Sequence, residues 1–139
     1  IMNKAEFIAH ILEWTKKDNI PLSDIHVSHG GSLLMLGLKE ETNDIDVTVP
    51  HYLYRDYLKE LGEDKQKRLG FNRFLLPITN LIDIHVKEDD KAWENLLTDE
   101  NGIQYRGVER TIYDYEQLKR PKDEEKIKLL KNSLKEISA

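Results

Sequence analysis

A chain of 139 residues, 39% of them apolar, is long enough for one compact domain around one core and too short for two well-packed ones. Its formal net charge of -5 argues against a protein that coats nucleic acid non-specifically, because that affinity accumulates from Lys and Arg. The lack of cysteine excludes disulfides and zinc–thiolate sites, and no apolar run approaches the roughly 20 residues of a membrane-spanning helix, so neither insertion nor secretion is expected and the cytoplasm is the expected location.

Residues 3–18 read as a helix: Asn3 with Glu6 three later has the pattern of a capping box, and Phe7, Ile8, Ile11, Leu12 and Trp14 make an apolar stripe. Asn19 and Pro21 close it. A short strand over 25–28 then ends at Gly30-Gly31, and a short apolar helix over 32–38 stops near Gly37. The segment 44–49 alternates, with Ile45, Val47 and Val49 on one face and Asp44, Asp46 and Thr48 on the other, which predicts a half-buried strand. After Pro50 a helix over 51–61 offers Tyr54, Tyr57, Leu58 and Leu61 for packing.

A polar, basic stretch with Lys65, Lys67, Arg68 and Arg73 follows and reads as a solvated face, as does the later cluster Lys119, Arg120 and Lys122. Pro77 breaks the next apolar run, and 79–86 form another strand, with Ile82, Ile84 and Val86 on one face and Leu81, Asp83 and His85 on the other. Residues 90–97 are expected to be helical, anchored by Trp93, Leu96 and Leu97, and 101–107 to form a small hairpin or an edge strand. The last helix, 121–137, starts at a proline suited to a first helical position, and its acids at 123–125 precede lysines at 126, 128, 131 and 135, as the helix dipole favours. Ile127, Leu130, Leu134 and Ile137 give it an inward stripe with which to dock on the domain.

The chemistry concentrates in two places. Carboxylates at i and i+2 of a strand project to the same side, where Asp44 and Asp46 can share hard divalent cations such as Mg²⁺ or Mn²⁺. Upstream, Gly30, Gly31 and Ser32 sit at a strand-to-helix turn, where backbone N–H groups suit a phosphate. Asp83 adds a third carboxylate from a later strand. Gathering three carboxylates without cations would cost several kcal/mol through repulsion and desolvation, and a metal removes that objection.

The stretch from Gly30 to Val47, "GGSLLMLGLKEETNDIDV", resembles the signature of the nucleotidyltransferase superfamily that includes DNA polymerase β, a Gly-[Gly/Ser]-Ser turn followed by Asp-x-Asp on a strand. The "SLLMLGL" helix, the Thr42–Asp46 ending and the segment "RPKDEEKIKLL" are most similar to small AbiEii-like bacterial and phage nucleotidyltransferases, which occur in toxin–antitoxin and phage-defence settings. The resemblance implies an α/β (α+β) fold, a small mixed sheet with helices mainly on one side, over a single domain 1–139. It implies catalytic, metal-holding roles for Asp44, Asp46 and Asp83, with Asp83 nearest the acceptor hydroxyl. Gly30, Gly31, Ser32, Thr42 and Lys122 would meet the nucleotide. The reaction would move a nucleoside monophosphate from an NTP such as ATP to a hydroxyl on an RNA 3′ end, a protein or a small molecule, and a second copy or a partner protein would complete the site.

Two departures weigh toward a non-catalytic binding module of the same fold, a partner in an antitoxin or defence system. Glu40 and Glu41 stand where many relatives carry Arg, and Asp114 and Tyr115 lie near the position of a Lys in toxin-like relatives, a role open to Arg110, Lys119 or Lys122. A metal-dependent phosphohydrolase would use the same carboxylates without needing the glycine turn. His85 shares the face of Asp83 and is read equally as a metal or phosphate contact and as a half-exposed strand histidine. His26 and His29 read as structural, Thr42 first as a loop cap, Asp123 equally as a helix cap, and Tyr52, Tyr54 and Tyr57 as packing residues.

Overall fold

The computed structural model describes residues 1–70, 73–87 and 93–138. A two-residue strand, β1 (Met2–Asn3), leads into helix α1 (Lys4–Lys17). The capping box forms: Asn3 Oδ1 accepts from the Glu6 amide at 2.9 Å and Glu6 Oε1 accepts from the Asn3 amide at 3.2 Å. Strand β2 (His26–Val27), helix α2 (Gly30–Met35), the short β3 (Glu41–Thr42) and β4 (Ile45–Thr48) follow, then helix α3 (His51–Leu61). Strands β5 (Lys67–Gly70), β6 (Arg73–Pro77), β7 (Ile82–Lys87), β8 (Leu96–Thr98) and β9 (Gln104–Arg106) precede the helices α4 (Val108–Leu118) and α5 (Glu124–Ser138).

Seven strands make one mixed sheet in the order β5-β6-β7-β4-β2-β9-β8, while β1 and β3 pair separately. The alternation along β4 and β7 dictates what the sheet covers. Ile45, Val47, Val49, Ile82, Ile84 and Val86 are all buried, and they join Phe7, Ile11 and Trp14 of α1 and Leu53 and Tyr54 of α3 in the main core. Transfer of such side chains from water contributes about 1.5–3 kcal/mol each, so β4 and β7 are held with their polar residues on the other face. A second cluster joins Leu33 of α2 to Ile112 and Tyr115 of α4 and Leu130 of α5. The final helix thus docks on α4, its first turn a 3₁₀ turn at Pro121–Asp123; the side chain of Ile137 lies outside those described. No described helix is long and apolar enough to cross a membrane.

Four expectations are corrected or sharpened. Residues 96 and 97, expected to be helical, form a strand with Thr98, and 90–92 of that same expected helix lie outside the described residues. The cause is local turn chemistry: Asp99 Oδ1 accepts from the amides of Asn101 and Ile103 at 2.9 and 2.8 Å, Gly102 takes a φ of +85°, and the turn closes a β8–β9 hairpin. Second, of the two alternatives for 101–107 the hairpin forms, with Gln104–Arg106 as one arm, and the edge strand does not, since that arm lies between β2 and β8. Third, the basic stretch after α3 is solvated along β5 as expected, and it forms not a loop but a pair of strands at the edge of the sheet, fixed by its ladder to β7. Fourth, α4 has no counterpart among the expected helices, because its inward face includes the buried polar residues Thr111 and Asp114, which an apolar stripe does not reveal.

Candidate active site

Strands β4 and β7 run parallel with Asp46 directly beside Asp83 and Thr48 beside His85. Cross-strand partners share a face, so these four residues line the side of the sheet opposite the main core. Asp44, one residue before β4, is exposed, while Asp46 and Asp83 are half-buried. The carboxyl of Asp83 is held above the usual carboxylate range, first by burial and then by the carboxylate of Asp46; Asp44 adds to this, and His85 and Lys67 oppose it. Three like charges therefore converge from two adjacent strands. One Asp46 oxygen is engaged: His85 Nε2 lies 2.8 Å from Asp46 Oδ1, and the ring of His85 lies 4.6 Å from that of His29. Among the described residues, no three acidic or histidine side chains are already placed as metal ligands.

The glycine turn stands next to this face because β2 pairs antiparallel with β4 and the Ser28 amide donates to the Asp46 carbonyl. Its three matched residues do different things. Gly31 faces inward: a Cβ there would come within 2.7 Å of both Phe7 Cζ and Val27 Cγ1, atoms of fully buried side chains. Ser32 is fully buried and its hydroxyl donates to the Val27 carbonyl at 3.3 Å. Only Gly30 has room for a Cβ, which would lie in ordinary contact, 3.9 Å, with Lys39 Nζ and Thr42 Oγ1. The residue before it, His29, adopts φ 57° and ψ -133°, a conformation that costs a residue with a side chain about 1–3 kcal/mol.

Thr42 Oγ1 donates to the Asp44 carbonyl at 3.5 Å, a loop-fixing contact. Lys122 is exposed on the turn before α5. Asp123 beside it is fully buried, held by Arg120 Nε at 2.6 Å and Lys126 Nζ at 3.5 Å. Arg110 is committed to Asp114, at 3.1 Å. His26, read as structural, is part of a buried network centred on Arg106, whose Nε donates to His26 Nε2 at 3.0 Å, Nη2 to Thr48 Oγ1 at 3.1 Å and Nη1 to Asp114 Oδ2. Sequence reasoning missed this network and also Lys39. The signal for Lys39 was its place just ahead of Glu40 and Glu41, which drew attention as lost cations.

No family model matches the chain, and no curated protein matches it. Among solved structures it is similar to the aminoglycoside nucleotidyltransferase ANT(2")-Ia, in complex with adenylyl-2"-tobramycin, with 21% identity and a TM-score of 0.55 over 91% of this chain and 87% of that one. At that identity the likeness speaks to architecture: the chain has the nucleotidyltransferase fold.

Proposed function

We propose that this protein is a Mg²⁺-dependent nucleotidyltransferase of the AbiEii-like kind, one cytoplasmic domain that moves a nucleoside monophosphate from an NTP to a hydroxyl acceptor. A toxin–antitoxin or phage-defence setting follows from the same resemblance. The observation that carries the reading is the convergence of Asp44, Asp46 and Asp83 on the open face of β4 and β7, beside the one glycine of the turn that faces outward.

The donor set fits a hard cation: three carboxylates converge, and two of them raise the proton affinity of the third. Asp44, Asp46 and Asp83 would hold it, with Asp46 released from His85. The bound cations would supply charge neutralisation for the attacking and leaving oxygens. The chain's own part is placement. Gly30 leaves room for the triphosphate to approach the backbone, Lys39 stands nearby as a cation, and Thr42 fixes the loop that carries Asp44. An acceptor oxygen at Asp83 then bonds to the α-phosphorus as the bond from that phosphorus to the bridging oxygen of pyrophosphate breaks. Pyrophosphate leaves, and the hydroxyl proton passes to solvent by way of the nearest carboxylate. A second copy or a partner protein would complete the acceptor side.

A second reading, a non-catalytic binding module, is favoured by the His85–Asp46 contact and by Glu40 and Glu41 in place of basic residues. Calorimetric titration of each of the four NTPs with Mg²⁺ separates the two. Binding to the wild type that is lost in an Asp44→Asn, Asp46→Asn variant supports the enzyme. A folded wild type that binds none of the four refutes it and leaves the binding module.

A further inference from the structure

The basic residues at the sheet edge have no part in the site as described so far. Strand β5 pairs Lys67 with Leu75 of β6, and β6 pairs Leu75 with His85 of β7, so Lys67, Leu75 and His85 lie in one row on the carboxylate face. Arg73, two residues before Leu75, lies on that face as well. Strands sit about 4.8 Å apart, so Lys67 starts roughly 10 Å from β7, within reach of a long side chain. Electrostatics agrees with the register. Lys67 acts on the carboxyl of Asp83, and Arg73 acts on the buried guanidinium of Arg106, so both side chains project over this face. Neither has an ion-pair partner among the described residues; Lys67 is the one that acts on Asp83, while Arg73 pairs in register with Lys87, further along β7 on the His85 side.

Sheet order decides what they serve. The glycine turn follows β2, on one flank of β4, whereas β5 and β6 lie on the other flank, beyond β7. A triphosphate at Gly30 and Lys39 would thus occupy the β2 side, leaving the β6 side for the acceptor at Asp83. We propose that Lys67 and Arg73 hold a phosphate of the acceptor, so that the acceptor is anionic, a hydroxyl on a phosphate-bearing nucleotide unit. The inference rests on the nucleotidyltransferase reading and narrows its acceptor. The same cations disfavour an amine-rich acceptor by like-charge repulsion. The transfer itself forms the bond from the acceptor oxygen to the α-phosphorus of the NTP and releases pyrophosphate; the acceptor's own phosphate is untouched.

The test is fluorescence anisotropy of 5′-labelled single-stranded RNA and DNA oligonucleotides, with an unlabelled nucleoside 5′-monophosphate as competitor. It uses the wild type, a Lys67→Ala, Arg73→Ala variant and a charge-preserving Lys67→Arg, Arg73→Lys variant. Calorimetry with Mg²⁺ and NTP runs on all three. The expected result is binding to at least one probe that weakens about 10-fold in the alanine variant and recovers in the charge-preserving one. The salt slope of binding should fall by about 0.7 in the alanine variant, as loss of one phosphate contact on a single strand requires. NTP binding should be unchanged. Preference for RNA, for DNA or for the mononucleotide each supports the proposal and names the source of the phosphate. Equal affinity of wild type and alanine variant, or no binding of any probe by a wild type that binds NTP, overturns it. Loss of NTP binding in the alanine variant also overturns it, since the cations would then serve the triphosphate. Absence of NTP binding in the wild type removes the nucleotidyltransferase reading instead.

Discussion

Two ends of one sheet face differ in a single respect. At the Thr48 end of β4, the buried charges meet their opposites: Arg106 lies between Asp114, His26 and Thr48, the Thr48 hydroxyl donates to Ser28 Oγ at 3.2 Å, and Arg106 and Asp114 are 1% and 2% exposed. Burial pushes the Arg106 guanidinium down, and Asp114 opposes that. Two residues earlier on the strand, at Asp46, the one histidine contact goes to Asp46, and the carboxylates of Asp46 and Asp44 both act against ionisation of Asp83. The first end is closed within the chain and is part of the fold. The second keeps its carboxylates without a buried cation of their own, a deficit that binding can fill. Polar burial alone does not separate structure from function here; charge balance does.

Changes at the two ends should therefore act on stability with opposite sign. The largest effect is expected at the balanced end. Asp114→Ala leaves Arg106 buried without its carboxylate and should cost about 3–5 kcal/mol of unfolding free energy, measured by denaturant titration. Next comes the glycine turn that follows β2. Gly31→Ala forces a methyl against Phe7 and Val27 and should cost about 1–3 kcal/mol. Gly30→Ala, where a methyl meets its neighbours at ordinary contact distance, should leave stability nearly unchanged while weakening NTP binding in calorimetry.

The smallest effect, with the reverse sign, is expected at Asp83. Its ordinary pKa is 3.8, and the folded value is raised. Below both values the proton is on in both states and folding is unaffected; as pH rises past 3.8 the unfolded chain ionises first, and stability falls until the folded group ionises too. In metal-free protein at pH 7, Asp83→Asn should therefore melt about 1–2 °C higher than the wild type, a gain kept small because solvent screens a half-buried carboxyl. The difference should vanish below about pH 4, as thermal scans across pH would register.

The legible parts of the molecule are those in which one strand or helix face carries the message. The alternation over 44–49 and 79–86 placed Asp44, Asp46 and Asp83 on the face away from Ile45 and Ile84, and the β4–β7 register sets Asp46 beside Asp83. The capping box at Asn3 and the helix at 51–61 were equally local. What escaped was set by partners distant in sequence. Arg106 and Asp114 look like surface charges until His26 and Thr48, 80 and 58 residues from Arg106, close around them. The basic strands β5 and β6 lack apolar alternation, and their place beside β7 comes from the ladder alone. Gly30 and Gly31 are alike in sequence, and the packing of Phe7 separates them.

The central claim, that the unbalanced end is a divalent-cation site, is tested most directly by titrating Mn²⁺ into the protein and following the free ion by electron paramagnetic resonance, in the wild type and in Asp46→Asn. The account predicts that the wild type takes up Mn²⁺, that Mg²⁺ competes for it, and that Asp46→Asn abolishes the uptake while remaining folded. Equal uptake by both proteins, or none by the wild type with NTP present, would contradict it.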